Sequence, residues 1–124
     1  MRVQKPPEWV GSSKSDLRQF PEDVRRLMGV AIHDAQNGDG HPDAKAMRGF
    51  GGRSVLELLD DHDGDTYRGI CTVKFSKAIY VLHCFQKKSK KGSATPQHAI
   101  DLVSSRLKAA EQHYLANYLG GGKK

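Results

Sequence analysis

Cysteine is scarce. Cys71 and Cys84 are the only two in 124 residues, too few for a disulfide scaffold and without the close Cys or His spacing of a zinc site. Both are expected as reduced core residues of a cytoplasmic protein. Long apolar runs are also missing. The longest, Ala78 to Leu82, has five residues, against the roughly 20 that a membrane span requires. The N-terminal stretch has no apolar signal-like segment, so membrane and secreted classes fit poorly. With 37% hydrophobic residues, the chain suits one compact domain over 1–124, with residues 1–6 and 120–124 expected as disordered tails.

Acidic residues are missing from one region. The net charge is +6, and residues 1–60 hold equal numbers of basic and acidic side chains. From Thr66 to Ile100 there are seven basic residues (Arg68, Lys74, Lys77, Lys87, Lys88, Lys90 and Lys91) and no acidic one. Such a concentrated positive field attracts polyanions, most commonly nucleic acid. A solvated lysine loop kept for solubility is the bland alternative.

The element signals run strand, helices, three strands, helix. Pro6, Pro7 and Gly11 bracket Glu8-Trp9-Val10, a short strand at or near a sheet edge. Ser15 or Asp16 caps a short helix ending near Phe20, and Pro21 is placed to open the next. Val24, Leu27, Met28, Ala31, Ile32 and Ala35 recur at helical spacing, with Gly38 at the C-terminal cap. The Gly- and Asp-rich stretch from Asn37 to Gly52 is expected as loop. Residues 54–88 predict a three-stranded antiparallel meander, Ser54–Asp60, Thr66–Lys74 and Ala78–Lys88, turning at Asp63-Gly64 and at Ser76-Lys77. Thr95 as a cap and Pro96 as first residue signal a last helix. Its stripe of Ile100, Val103, Leu107, Ala110 and Tyr114 is expected on the core face of the sheet.

Alternation then sorts the meander. Pairing across Asp63-Gly64 sets Leu59 against Arg68, Glu57 against Ile70 and Val55 against Thr72. Pairing across the second turn sets Arg68 against Phe85, Ile70 against His83 and Thr72 against Val81. One face collects Leu56, Leu58, Tyr67, Gly69, Cys71, Val73, Tyr80, Leu82 and Cys84 as core. The other collects Glu57, Arg68, Thr72, His83, Phe85 and Lys87 among aliphatic residues, a mixed face open to a ligand. A three-residue second turn would flip the last strand.

This order of elements resembles the RelE/ParE superfamily of type II toxins, and within it the HigB-like, phage-derived branch. The likeness runs from about Trp9 to Tyr114. It is carried by Val55-Leu56-Glu57-Leu58, Tyr67-Arg68, His83-Cys84-Phe85-Gln86-Lys87-Lys88 and Thr95-Pro96, in that order and spacing. The resemblance implies an α+β, RelE-like fold with an antiparallel sheet of about four strands, two N-terminal helices and a C-terminal helix. It implies a ribosome-dependent mRNA endoribonuclease that needs no metal or cofactor. The RNA's own 2′-hydroxyl attacks, and the protein supplies cations and a proton donor. A cognate antitoxin, of the helix-turn-helix DNA-binding kind, is the implied partner besides ribosome and mRNA. By residue match, Arg68 takes the place of an arginine on the scissile phosphate. Lys88, with Lys87 beside it, stands where a second family arginine acts, although lysine lacks the bidentate fork. A C-terminal tyrosine of the family falls on Ala94, and its earlier-strand lysines fall near Leu59 and Asp61.

The candidate catalytic residues are therefore Arg68, Lys88, Lys87, Glu57 and His83. Arg68 is expected to face outward, with a structural ion pair to Glu57 as the competing role. Glu57 is also a candidate base for the 2′-hydroxyl, and His83 titrates in the useful range. Lys90, Lys91 and Lys74 are candidate phosphate contacts and Phe85 a candidate base-stacking residue. The acidic run Asp60–Asp65 lacks the spacing of a calcium loop and is expected to be a turn. Two other functions remain open on the same fold or charge: a ParE-like DNA gyrase inhibitor without nuclease chemistry, and a non-catalytic nucleic-acid-binding domain.

Overall fold

The computed structural model describes residues 4–42, 44–50, 52, 54–87 and 95–119. In chain order they form β1 (Pro7–Trp9), α1 (Ser13–Arg18), α2 (Glu22–Gln36), β2 (Ala44–Ala46), β3 (Val55–His62), β4 (Asp65–Thr72), β5 (Ile79–Lys87) and α3 (Gln97–Tyr118). The sheet order is β1-β5-β4-β3-β2. All neighbours are antiparallel except β1, which runs parallel to β5. The fold is the expected α+β, RelE-like one, with a fifth strand. That strand is β2, three residues inside the stretch expected as loop. Its Ala-Lys-Ala sequence is too short to show a period, and Ala44, Lys45 and Ala46 owe their strand geometry to pairing with Leu58, Glu57 and Leu56.

The first hairpin follows its turn chemistry. Asp63 (φ 51°) and Gly64 (φ 85°) are both left-handed, as a type I′ turn demands. The three partners expected across it are all observed: Leu59 with Arg68, Glu57 with Ile70 and Val55 with Thr72. The second hairpin departs from its expected register. Arg68 faces Phe85 and Ile70 faces His83 as expected, but Cys71 then pairs with Val81 and Thr72 with Tyr80. Leu82 is the extra residue of a β-bulge. The connection from Thr72 to Ile79 is also longer than the two-residue turn expected at Ser76-Lys77.

The bulge divides β5 between two cores. Ile79, Val81 and Cys84 pack with Leu58, Tyr67 and Cys71 under Val24, Met28, Ala31, Ile32 and Ala35 of α2. Tyr80 and Leu82 join Val55, Ile70 and Phe75 under Val103, Ala110 and Tyr114 of α3. Tyr80 and Leu82 therefore do not share a face with Cys84. The closing helix also lies on the opposite side of the sheet from the one expected. Its apolar stripe requires a partner surface, and Val55, Ile70, Tyr80 and Leu82 supply one that α2 does not cover. The mixed face is consequently the floor of a second core.

Helix ends refine the sequence signals. Gly38 (φ 78°) lies just past α2, and its N–H bonds the Ala35 carbonyl at 3.1 Å, as a C-terminal cap should. Pro21 and Pro96 each precede the first helical residue, in extended conformation (ψ 152° and 149°). Their carbonyls accept the first helical bonds, from Arg25 and from Ala99 and Ile100. Thr95 makes no capping bond, and its hydroxyl is used elsewhere. Residues 5 and 6 are not a loose tail: Lys5 bonds the Gln36 and Phe75 carbonyls, and the Pro6 carbonyl receives the Ile79 N–H. Residues 120–124 lie outside the described residues.

Candidate functional site

The sheet register brings Glu57 and Arg68 together. They stand on adjacent strands, two residues out of register, with side chains on the α3 side. Arg68 Nη1 donates to Glu57 Oε2 at 2.9 Å and to Thr95 Oγ1 at 2.7 Å. Thr95 Oγ1 in turn donates to the same Oε2 at 2.6 Å. The three groups close a triangle at the N-terminal end of α3. The Arg68 and Glu57 side chains are 4% and 6% exposed. The expectation that Arg68 points outward to a ligand is thus corrected. The register placed it on the right face, but α3 covers that face, and burial of a guanidinium requires the paired carboxylate beside it. Thr95 was legible only as a helix cap; its role in the triangle had no local sequence signal.

Both bonds to Glu57 fall on one oxygen. Among the described residues Oε1 takes no hydrogen bond, and Glu57 lines an open cavity of about 350 Å³ with Lys45, Ala46, Met47, Arg48, Thr95 and Ile100. The carboxylate is therefore anchored on one side and presented on the other. Such an arrangement can accept a proton from a hydroxyl brought to Oε1 without losing its orientation. Lys45 and Arg48, both exposed, flank it. Sequence reasoning missed them because β2 was not legible as a strand.

The remaining candidates are spread over the same face. Phe85 lies directly across β4 from Glu57's neighbourhood, paired with Arg68. Its ring stacks on His83 (centroids 4.6 Å apart, planes 20°) and packs against the α3-side core. His83 is two strands from Glu57, through Ile70. Its Nδ1 is buried with no partner among the described residues. Burial holds its pKa below the ordinary histidine value, helped by Arg106 and His98 and opposed by Asp16. Lys87 closes β5 opposite Thr66. Lys74 is committed to α3, with its ammonium 2.7 Å from Glu111 and over the Phe75 ring. It lies roughly 20 Å along the strand direction from Arg68, so it does not join the site. Lys88, Lys90, Lys91 and Ala94 lie outside the described residues.

Cys71 and Cys84 are buried free thiols with pKa values pushed up to about 12 by burial, and neither approaches the triangle as a reactive group. Among the described residues, no group of three or more His, Cys, Asp or Glu side chains is arranged to hold a metal ion, and no helix is long and apolar enough to cross a membrane.

No curated protein matches the sequence. Residues 15–108 match the family described as phage-derived protein Gp49-like. That span runs from α1 into α3 and includes all three members of the triangle. The match covers most of the chain, and the chain belongs to the Gp49-like family of phage-derived proteins.

Proposed function

We propose that this chain is the toxin of a type II toxin–antitoxin pair and a ribosome-dependent endoribonuclease that cuts mRNA without a metal. The observation that carries the reading is the buried triangle of Glu57, Arg68 and Thr95, which offers one carboxylate oxygen to a cavity flanked by cations. Glu57 Oε1 removes the proton from a ribose 2′-hydroxyl. O2′ then attacks the adjacent phosphorus, the P–O5′ bond breaks, and the products are a 2′,3′-cyclic phosphate and a 5′-hydroxyl. The leaving O5′ takes its proton from a lysine ammonium, for which Lys87 and Lys88 are the candidates. Cationic side chains stabilise the charge that develops on the phosphoryl oxygens. In this reading Arg68 holds and polarises Glu57 and does not grip the phosphate. Lys90 and Lys91 extend the positive field to the message. The partner is a helix-turn-helix antitoxin whose binding keeps the protein off the ribosome.

The test is the mapping of 5′ ends of cellular RNA after brief induction without antitoxin. Discrete cuts inside translated frames are expected. Intact messages with translation still running, and DNA synthesis failing first, overturn the nuclease and favour gyrase inhibition. RNA bound but left whole overturns it in favour of a plain binding domain.

A further inference from the structure

Of β2, the proposed chemistry uses only the positive charge that flanks the cavity. β2 is held firmly for so short a strand. Its three residues pair with β3, the Met47 N–H adds a bond to the Val55 carbonyl at 2.9 Å, and Met47 is buried in the α3-side core. Just beyond, Gly49 (φ 86°) reverses the chain, and Ser54 Oγ closes the loop on the Phe50 carbonyl at 2.7 Å. The backbone is thus fixed on both sides of Lys45 and Arg48. Lys45 stands directly across from Glu57 on the same face, and Arg48 lines the same cavity. Neither has a carboxylate partner among the described residues. Two uncommitted cations beside a carboxylate that is itself satisfied by Arg68 match an anion lying next to a hydroxyl, which is the chemistry of a ribose-phosphate.

We infer that Lys45 and Arg48 form a phosphate-binding subsite for single-stranded RNA, holding the phosphates next to the ribose whose 2′-hydroxyl meets Glu57. This rests on the nuclease reading and adds to it a second point of grip. Lys45 lies on the edge strand β2 and Lys87 at the end of β5, three strands away, on the order of 20 Å apart by strand spacing and rise, with Glu57 and Arg68 between them. The message therefore crosses the end of the sheet from β5 to β2 and is held on both sides of the cut. A lysine on an edge strand also discourages stray strand pairing. That role requires only charge of either sign, and substitution by glutamate separates the two.

The experiment is single-turnover cleavage on ribosomes programmed with a defined message, comparing the wild-type protein with Lys45→Glu, Arg48→Glu and the double variant. Binding to empty ribosomes and thermal unfolding are measured beside it. The double variant is expected to raise the half-saturating concentration on programmed ribosomes ten-fold or more, with the larger part of the loss there and less in the saturating rate. Loss of two phosphate contacts should also flatten the salt dependence, by roughly 0.7 in log–log slope for each contact to a single strand. Unfolding of Arg48→Glu should be unchanged, since that side chain is exposed, whereas Lys45→Glu sets a carboxylate across from Glu57 and should lower stability slightly. An unaltered half-saturating concentration and salt slope overturn the subsite. An equal loss on empty ribosomes also overturns it, because it assigns the pair to ribosomal RNA. A wild-type protein that leaves the message whole overturns the nuclease reading, and the subsite with it.

Discussion

Replacing Arg68 by methionine removes one half of a buried ion pair and is expected to lower stability whatever it does to catalysis. Both side chains are almost wholly excluded from solvent, and the contact is 2.9 Å. With charge centres about 4 Å apart at an effective dielectric near 20, the gross attraction is about 4 kcal/mol. Desolvation of the two ions costs a comparable amount, so the pair as a whole is close to neutral for stability. Removal of the guanidinium alone leaves the desolvation of Glu57 in place with Thr95 as its sole bonded partner in the triangle, a cost of about 3–5 kcal/mol. For a domain of this length that corresponds to a fall in Tm of roughly 10–25 °C. A double-mutant cycle in urea with Arg68→Met, Glu57→Leu and the pair together measures it. The double variant should recover most of the single-variant loss. A single Arg68→Met variant that loses under 1 kcal/mol would refute the buried-pair reasoning and restore the outward-facing arginine. An alanine at 68 that relieves toxicity is therefore uninformative about chemistry unless the variant is shown to be folded.

Thr95→Val should cost about 1–3 kcal/mol by chemical denaturation, because it removes a hydroxyl bonded to two charged groups. Thr95→Asp, an excellent cap by type, should be worse still, since it sets a second carboxylate beside Glu57, and recovery by Asp would return Thr95 to a capping role. Gly64→Val should destabilise by about 1 kcal/mol or more, as φ of 85° suits no β-branched residue, and equal stability would remove the type I′ assignment. His83 predicts a pH effect on folding. Its folded pKa lies below the unfolded value near 6.5, so the unfolded state binds the proton first as pH falls. Stability should decline from about pH 6.5 downward until the folded form also protonates, and His83→Gln should remove that slope from a urea titration series.

The parts of this architecture that were legible in the sequence are those governed by local chemistry. Asp63-Gly64 admits one tight hairpin, and the register of β3 with β4 follows from it. The period of α2 and the stop at Gly38 are equally local. The bulge at Leu82 was not legible because it falls inside Ala78 to Leu82, an apolar run in which neither face is marked by polarity. Placement of α3 followed from that error: with Tyr80 and Leu82 assigned to the α2 side, the second face looked too polar to be a core. Glu57 and Arg68 were correctly brought to one face, but their burial depends on Thr95 and α3, with Thr95 27 residues from Arg68 and 38 from Glu57 in sequence. Lys45 was hidden by the brevity of β2, which exists as a strand only through its pairing.

The parallel pairing of β1 with β5 has a temporal consequence. The strand made first is completed by the strand made last, and the Glu57 carboxylate finds Thr95 only after the whole meander has emerged. Contacts of such long sequence separation form late in folding. A chain still in synthesis thus carries the residues of the site without its geometry.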